Sequence, residues 1–134
     1  MKPHAKFFLI LGALNSAIAV ALGAAGTHAF KAQLASVEQA TWFALALQYH
    51  QYHALGLILT GLAATLFPQS RWFAWAGWLM LSGILLFSGA LYLLSLGGIQ
   101  LTRPAIPVGG FFFLAAWLSL AIGAMRTSSP EQQC

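Results

Sequence analysis

Residues 48–53 read QYHQYH, six consecutive hydrogen-bonding side chains at the start of a segment otherwise typical of a lipid-embedded helix. Imidazole and phenol groups can ligate metals, transfer protons or form structural hydrogen bonds. Within hydrocarbon they need protein or water partners, so an ionisable residue in the membrane is a candidate functional site. This stretch is therefore the centre of the candidate site.

The polar stretch is divided between faces of a helix when it is projected at about 100° per residue. The residues predicted to share one face are Tyr49, Tyr52, His53, Gly56, Thr60 and Ala63. Gln51 points nearly opposite, and His50 points to the side. We expect the shared face to look into the bundle, which leaves Gln51 at the headgroup boundary or against another subunit.

A wider polar cluster is expected at the same membrane edge. Its members are His28, Tyr49, His50, Tyr52, His53, Ser88 and Tyr92. The preferred interpretation is that the tyrosines and His53 hydrogen-bond to the backbone, or to Ser88 or Tyr92, and so fix the helix register. No catalytic residue is predicted, because no acidic residue lies near the histidines in the sequence.

Metal binding is a rival interpretation of the histidines, since neutral imidazole is a common metal ligand. The candidate ligands are His28, His50 and His53, of which the last two have the i, i+3 spacing. No neighbouring acid would orient the rings, so neither a metal nor a cofactor is predicted. Haem between His28 and His53 would need a porphyrin slot that nothing in the sequence marks.

Two further alternatives concern small molecules. A pocket at the outer edge could hold a quinone or a lipid headgroup beside the histidines and tyrosines. A proton or solute pathway would need polar groups at several depths. The inner half of the bundle offers Asn15, Thr60, Thr65 and Ser82 but no acid, so a pocket is favoured over transport.

The composition indicates which elements position these residues. Of the 134 residues, 60% are hydrophobic and 6% are charged, against about 25% charged in ordinary soluble domains. With a mean hydropathy of +0.79, residues 1–134 are predicted to form a single integral-membrane domain. The basic residues stand singly at the ends of apolar runs, which predicts topology signals rather than nucleic-acid binding. The single cysteine, Cys134, allows no internal disulfide.

Four apolar runs are predicted to cross the membrane, at residues 7–26, 48–67, 72–96 and 107–125. The predicted fold is all-α, a polytopic four-transmembrane-helix bundle with a short amphipathic segment between helices 1 and 2.

In that segment Ser36 and Gln39 match a capping box, so a helix should begin near Val37. The first run exceeds the roughly 7–15 apolar residues of a signal peptide, which favours a span. Pro107 suits the first position of the last helix.

Small residues recur at spacings of four and three, which places them along one seam of a helix. The predicted helix-packing positions are Gly12, Ser16, Ala19, Gly23, Gly26, Gly89, Gly109, Ala116 and Gly123. Helices in lipid associate through such close approach of their backbones. Asn15 lies beside the first seam and is expected to hydrogen-bond to a neighbouring helix.

The distribution of basic residues predicts the orientation. Four spans place both termini on one side of the membrane. If that side is the cytoplasm, four of the six basic residues are inside, in agreement with the positive-inside rule. We therefore predict a multi-pass inner-membrane protein with cytoplasmic N- and C-termini and with the polar cluster toward the outer face.

Four short motifs follow one another along the chain. They are residues 22–28 (LGAAGTH), 49–55 (YHQYHAL), 87–92 (FSGALY) and 107–110 (PVGG), with Trp117 after them. Together they resemble the YgdD-like family of small bacterial inner-membrane proteins, catalogued as a domain of unknown function. The resemblance covers nearly the whole chain and implies four transmembrane helices in the inner membrane. It implies no activity, cofactor or catalytic residue.

We interpret the chain as a non-enzymatic integral membrane protein that forms a homo-oligomer or serves as an accessory to a larger membrane assembly. The small-residue seams and the lack of a catalytic set favour this interpretation. The alternatives are a quinone, lipid or metal site built on the polar cluster, and a small-solute or proton transporter. The expected partners are the lipid bilayer and other membrane proteins, with no nucleic acid.

Overall fold

The computed structural model describes residues 2–127, and helices joined by short turns make up these residues. The elements are α1 (Pro3–Thr27), α2 (Val37–Leu66), α3 (Arg71–Gly83), a π-helix (Ile84–Gly89), α4 (Ala90–Gly97), a 3-10 turn (Gln100–Thr102) and α5 (Ala105–Arg126). Because α3, the π-helix and α4 follow without a break, they form one long third helix. No strand occurs between residues 2 and 127, as predicted for an all-α bundle. Cys134 lies outside the described residues.

Three helical segments are long and apolar enough to cross a membrane: α1, the third helix, and Gln100–Arg126, which contains α5. α2 is not among them, although its 30 residues correspond to about 45 Å of helix. Its polar stretch at residues 48–53 lowers its hydropathy. α2 packs against both α1 and the third helix, and within the polar stretch His50 and His53 are buried, whereas Gln48, Gln51 and Tyr52 are exposed. α2 therefore completes the four-helix bundle as its central member.

α2 begins well before the predicted span, at Val37. Ser36 caps it: the Ser36 hydroxyl oxygen accepts a hydrogen bond from the Gln39 N–H at 3.1 Å, which confirms the predicted helix start. The reciprocal contact differs from a capping box. The Ser36 hydroxyl donates to the Gln39 side-chain oxygen at 3.0 Å, whereas a capping box uses the backbone N–H of the cap residue.

Glycines allow two pairs of helices to approach closely. A Cβ atom at Gly12 would lie 2.8 Å from the backbone nitrogen of Ile58 and 2.9 Å from the carbonyl oxygen of Ala54. At Gly109 it would lie 2.5 Å from the backbone nitrogen of Phe87. Of the predicted packing positions, Gly12, Ala19, Gly109, Ala116 and Gly123 are buried, and Ser16, Gly23, Gly26 and Gly89 are partly buried. Such contact holds helices together in lipid, where apolar burial alone contributes little.

The third helix departs from the regular helix that the sequence predicts, because a π-helix occupies Ile84–Gly89. A regular helix would place Trp78, Leu85 and Tyr92 along one face, with Ser88 beside Tyr92 near the edge of the bilayer. In the structure Leu85 is 66% exposed, whereas Ser88 is fully buried. The wider turn changes the direction of the side chains that follow it, so a projection at about 100° per residue fails across it.

The hydrophobic core lies where the third helix meets the other three. Its main cluster contains Phe8, Leu57, Met80, Ile84, Phe113 and Ala116. A smaller cluster of Ala5, Ala64 and Phe73 lies nearer the end of the bundle that carries the N-terminus. The main cluster supports the residues of α2 and α5 that form the candidate site.

The connection into α5 differs slightly from the prediction. The third helix ends at Gly97, and Gly98 follows in the left-handed conformation, with φ of 63°, which is a common way to end a helix. α5 begins at Ala105, so Pro107 is its third residue rather than its first. The proline still breaks no hydrogen bond, because the N–H groups of the first turn have no intrahelical partner.

Candidate functional site

His50 on α2 joins three helices through side-chain hydrogen bonds. Its Nε2 lies 3.1 Å from Asn15 Oδ1 on α1, and its Nδ1 lies 3.2 Å from the Tyr92 hydroxyl on α4. The residue is 4% exposed. The contact with Asn15 confirms the prediction that this amide bonds to a neighbouring helix.

The partners of His50 define its tautomer. Asn15 Nδ2 donates to the Leu11 carbonyl at 2.8 Å, so Oδ1 is the atom that faces His50 and accepts. Nε2 therefore carries the proton, and Nδ1 accepts from the Tyr92 hydroxyl. Each group thus donates to the next: Tyr92 to His50, His50 to Asn15, and Asn15 to the Leu11 carbonyl. Neither ring nitrogen of this neutral histidine keeps a free lone pair.

His53 lies one turn further along α2 and joins it to α5. Its Nδ1 lies 2.7 Å from the Tyr49 carbonyl oxygen, which can only accept, so Nδ1 carries the proton. Its Nε2 accepts from the indole N–H of Trp117 at 3.1 Å. The imidazole also stacks on Phe113, with ring centroids 3.4 Å apart. His53 is thus neutral, with the proton on the opposite nitrogen from His50.

The two tyrosines of α2 have different surroundings. Tyr49 is partly buried and packs on Phe87, with ring centroids 4.6 Å apart. Tyr52 is 56% exposed, and its hydroxyl accepts from Gln48 Nε2 at 3.2 Å. Tyr52 therefore does not face the bundle as predicted, and the buried face of α2 includes His50 instead. The reason is that α1 and the third helix cover α2 on different sides.

The structure assembles part of the predicted polar cluster. Tyr92 contacts His50, and the tyrosines of α2 lie beside His53. His28 is exposed in the turns that follow α1. Ser88 Oγ is buried without a hydrogen-bond partner in the part of the chain that the structure describes. Neither His28 nor Ser88 therefore joins the two histidines of α2.

A metal site does not fit this arrangement. Across residues 2–127, no group of three or more His, Cys, Asp or Glu side chains could hold a metal ion. A ligating imidazole must offer a lone pair, but His50 and His53 use theirs to accept from Tyr92 and Trp117. The candidate third ligand, His28, does not assemble with them, and the same geometry leaves His53 unsuited to haem.

Two residues of the site, Asn15 and Trp117, were not assigned to the cluster from the sequence. Asn15 was predicted to bond to another helix but without a named partner. Trp117 carries an indole N–H that requires an acceptor when it is buried in lipid or protein, and this requirement was the available signal. Which acceptor it meets depends on the packing of α5 beside α2, which the sequence pattern does not specify.

A groove of about 680 Å³ lies between α2 and α5. Both helices pack near the π-helix, whose Phe87 contacts Tyr49 on α2 and Phe113 on α5. His53 and Trp117 line the groove, whereas His50 does not. A small molecule in this groove would therefore contact His53 directly.

Comparison with known proteins identifies the family. Residues 22–110 match the family described as "Protein of unknown function (DUF423)". The chain is 39% identical over 121 residues to UPF0382 membrane protein YwdK of Bacillus subtilis (strain 168), covering 90% of this chain and 98% of that protein. The chain belongs to the DUF423 family. It is also 38% identical over 122 residues to UPF0382 inner membrane protein YgdD of Escherichia coli (strain K12), covering 90% of this chain and 91% of YgdD.

Membership in the DUF423 family confirms the resemblance to YgdD that the motifs indicate. A third relative, UPF0382 membrane protein SERP0230 of Staphylococcus epidermidis, is 40% identical over 121 residues, with 90% of this chain and 97% of that protein covered. These names agree with the three segments able to cross a membrane. This DUF423 protein is therefore a multi-pass membrane protein. No solved structure matches the chain.

Proposed function

We propose that this DUF423 protein is a non-enzymatic accessory protein of the bacterial inner membrane, which associates with itself or with a larger membrane assembly. The hydrogen bonding of His50 and His53 carries the proposal. Both ring nitrogens of each histidine already have partners. Neither of these two imidazoles is left to accept a substrate proton or to ligate a metal, so His50 and His53 serve helix packing rather than chemistry.

The deeper polar groups give no support to transport. Thr60 donates to the Gly56 carbonyl at 2.8 Å, and Thr65 donates to the Gly61 carbonyl at 2.9 Å. These bonds lie within α2 and do not extend the network of His50. A proton or solute relay needs connected polar groups at several depths, which these threonines do not provide.

A second face of α1 supports self-association. The exposed small residues on this face, at spacings of four and three, are Ala13, Ala17, Ala21 and Ala24. The glycine seam of α1 is already occupied by α2 within the molecule, whereas these alanines are free to meet another helix. Small residues at such spacing let helices approach closely in lipid. We therefore assign the interface between two copies to this face.

Cross-linking and size-exclusion chromatography in a mild detergent test the proposal. We expect the wild-type protein to run as an oligomer or together with a partner. Ala17→Leu should shift it toward the monomer, because the larger side chain separates the helices. Ala121→Leu changes an exposed alanine of α5 and is the matched control, with no change expected. A wild-type protein that is strictly monomeric and carries no partner would contradict the proposal.

We also propose that both termini face the cytoplasm, and the basic residues support this. Those at the cytoplasmic end would be Lys2, Lys6, Arg71 and Arg126, against Lys31 and Arg103 outside. Because Cys134 is the single cysteine, a membrane-impermeant maleimide reports the side of the C-terminus directly. Labelling should require opening of the inner membrane. Labelling of intact spheroplasts would mean the reverse orientation.

A further inference from the structure

The groove between α2 and α5 has the size and lining of a small-molecule site. Its volume of about 680 Å³ falls within the range of about 300–1,000 Å³ for ligand pockets. The aromatic side chains of its lining include Tyr49, Tyr52, Phe87, Phe111, Phe113 and Trp117. Aromatic rings pack favourably against other flat rings, offset or edge to face. The lining therefore suits a planar ring better than a flexible acyl chain.

One wall of the groove is held rigid by its own contacts. His53 stacks on Phe113 with ring centroids 3.4 Å apart, and Trp117 donates to His53 Nε2. These three rings fix one another before any ligand arrives. A preorganised wall improves affinity, because little side-chain freedom is lost on binding.

The groove offers hydrogen-bond donors but no positive charge. The Tyr52 hydroxyl accepts from Gln48 Nε2, so its own proton remains available to a ligand. Tyr49 brings a second phenol to the same lining, which contains no Lys or Arg. Phenol donors match a carbonyl oxygen, whereas a phosphate headgroup would find no counter-charge here.

We infer from its exposed rim and from a nearby cation–aromatic pair that the groove opens toward the lipid, below the level of the headgroups. Its rim residues Phe111 and Leu114 are 69% and 63% exposed. Arg103 lies 5.4 Å from the centre of the Trp42 ring, a pairing typical of the membrane–water boundary. The backbone of residues 49–52 lies about 10–15 Å further along α2. A ligand would therefore enter sideways from the bilayer and bind in a mostly apolar environment.

We propose that this groove binds an uncharged, planar, carbonyl-bearing lipid, the chemistry of an isoprenoid quinone. The ring would lie against the wall of His53 and Phe113, and a carbonyl oxygen would accept from Tyr49 or Tyr52. The apolar tail would extend over the exposed rim into the bilayer. The inference concerns α2 and α5, so it does not depend on the α1 interface or on the accessory role proposed above.

A titration of the purified protein in phosphatidylcholine nanodiscs with decylubiquinone tests the inference through quenching of tryptophan fluorescence. We expect saturable binding at one site per chain. Whichever of Tyr49→Phe and Tyr52→Phe removes the donor should weaken it about three- to tenfold, the loss of one hydrogen bond, and full affinity in both variants would overturn the assigned chemistry. Tyr92→Phe is the matched control, because Tyr92 bonds to His50 outside the groove, and it should leave the affinity unchanged.

A variant that fills the groove provides the sharper test. A Cβ atom at Gly110 would lie 3.8 Å from the Phe87 ring, an ordinary contact, so Gly110→Leu should fold and should weaken binding more than tenfold. Leu114→Trp fills the groove from its exposed rim and serves if Gly110→Leu does not fold. Binding that never saturates, or that both filled variants retain, would overturn the inference. Equal displacement by decylbenzene, which has no carbonyl group, would overturn the assigned chemistry.

Discussion

The two histidines of α2 lie three positions apart, yet they serve different parts of the bundle. His50 bonds to side chains of two other helices, Asn15 on α1 and Tyr92 on α4. His53 bonds once within α2, to the Tyr49 carbonyl, and once to Trp117 on α5. Their tautomers are opposite because the obligatory acceptor faces Nε2 in one case and Nδ1 in the other. The role of a buried histidine thus depends on the partners that packing brings to each nitrogen.

The surroundings of the two rings differ as well. His50 connects three helices and lies outside the groove, whereas His53 forms part of the groove wall. Replacement of His50 therefore affects packing alone, while replacement of His53 affects both packing and the proposed ligand site. Variants of the two histidines and of their partners can separate these effects.

The largest effect is expected for His50→Leu. The substitution removes two hydrogen bonds and leaves Asn15 Oδ1 and the Tyr92 hydroxyl without their partner, which should lower the free energy of unfolding by about 2–3 kcal/mol. Unfolding of the protein from dodecyl maltoside micelles by added SDS measures this quantity. Gln51→Leu, an exposed change on the same helix, should have an effect below about 0.5 kcal/mol. Equal effects of the two variants would show that the His50 network contributes nothing.

A smaller effect is expected for His53→Leu, about 1–2 kcal/mol. It removes the bond from Trp117 and the stacking on Phe113, and its other hydrogen bond, to the Tyr49 carbonyl, lies within α2. Trp117→Phe should cost less, since only the indole bond disappears. The double variant should cost less than the sum, because both changes remove the same bond. Strict additivity in the same unfolding assay would mean that the bond between His53 and Trp117 does not stabilise the protein.

Replacement of a tyrosine should change the free energy of unfolding less than replacement of either histidine. Tyr92→Phe removes a donor to His50 in a partly buried position and should lower the free energy of unfolding by about 0.5–1 kcal/mol. Tyr52→Phe removes an exposed hydroxyl that accepts only from Gln48 and should change it by less than about 0.5 kcal/mol. A larger loss for Tyr52→Phe than for Tyr92→Phe would contradict the assignment of Tyr92 to the packing network.

No effect is expected from metal removal. Because both histidines use their lone pairs to accept hydrogen bonds, treatment with EDTA should leave the thermal unfolding temperature unchanged. Metal analysis of the purified protein should give less than stoichiometric zinc or copper. Stoichiometric metal that disappears in His53→Leu would show that the bond between His53 and Trp117 opens to allow ligation.

The features that the sequence predicts well are those that depend on nearby residues. Ser36 and Gln39 lie three positions apart, so the start of α2 is readable from residue types alone. The glycine seam of α1 is likewise readable, because only residues without bulky side chains let two backbones meet in lipid. These features establish a membrane helix bundle before any tertiary contact is known.

The features that the sequence does not predict depend on how helices pack. No residue type marks the π-helix, so the burial of Ser88 and the exposure of Leu85 could not be read from a regular projection. His28 was grouped with the other histidines by its expected depth, but the turns after α1 leave it exposed. Tyr52 was expected to face the bundle, but it is exposed and His50 is buried instead. The difference arises because two neighbouring helices, rather than one, cover α2.

The polar character of α2 has a consequence for how the protein enters the membrane during synthesis. α2 does not meet the hydropathy of a self-sufficient span, and its histidines would face acyl chains if it were inserted alone. α1 leaves the ribosome first and carries Asn15, the partner of His50. We therefore expect the insertion machinery to release the two helices into the bilayer as a preassembled hairpin. The Asn15 side chain would then give His50 a hydrogen-bond partner before α2 is exposed to lipid.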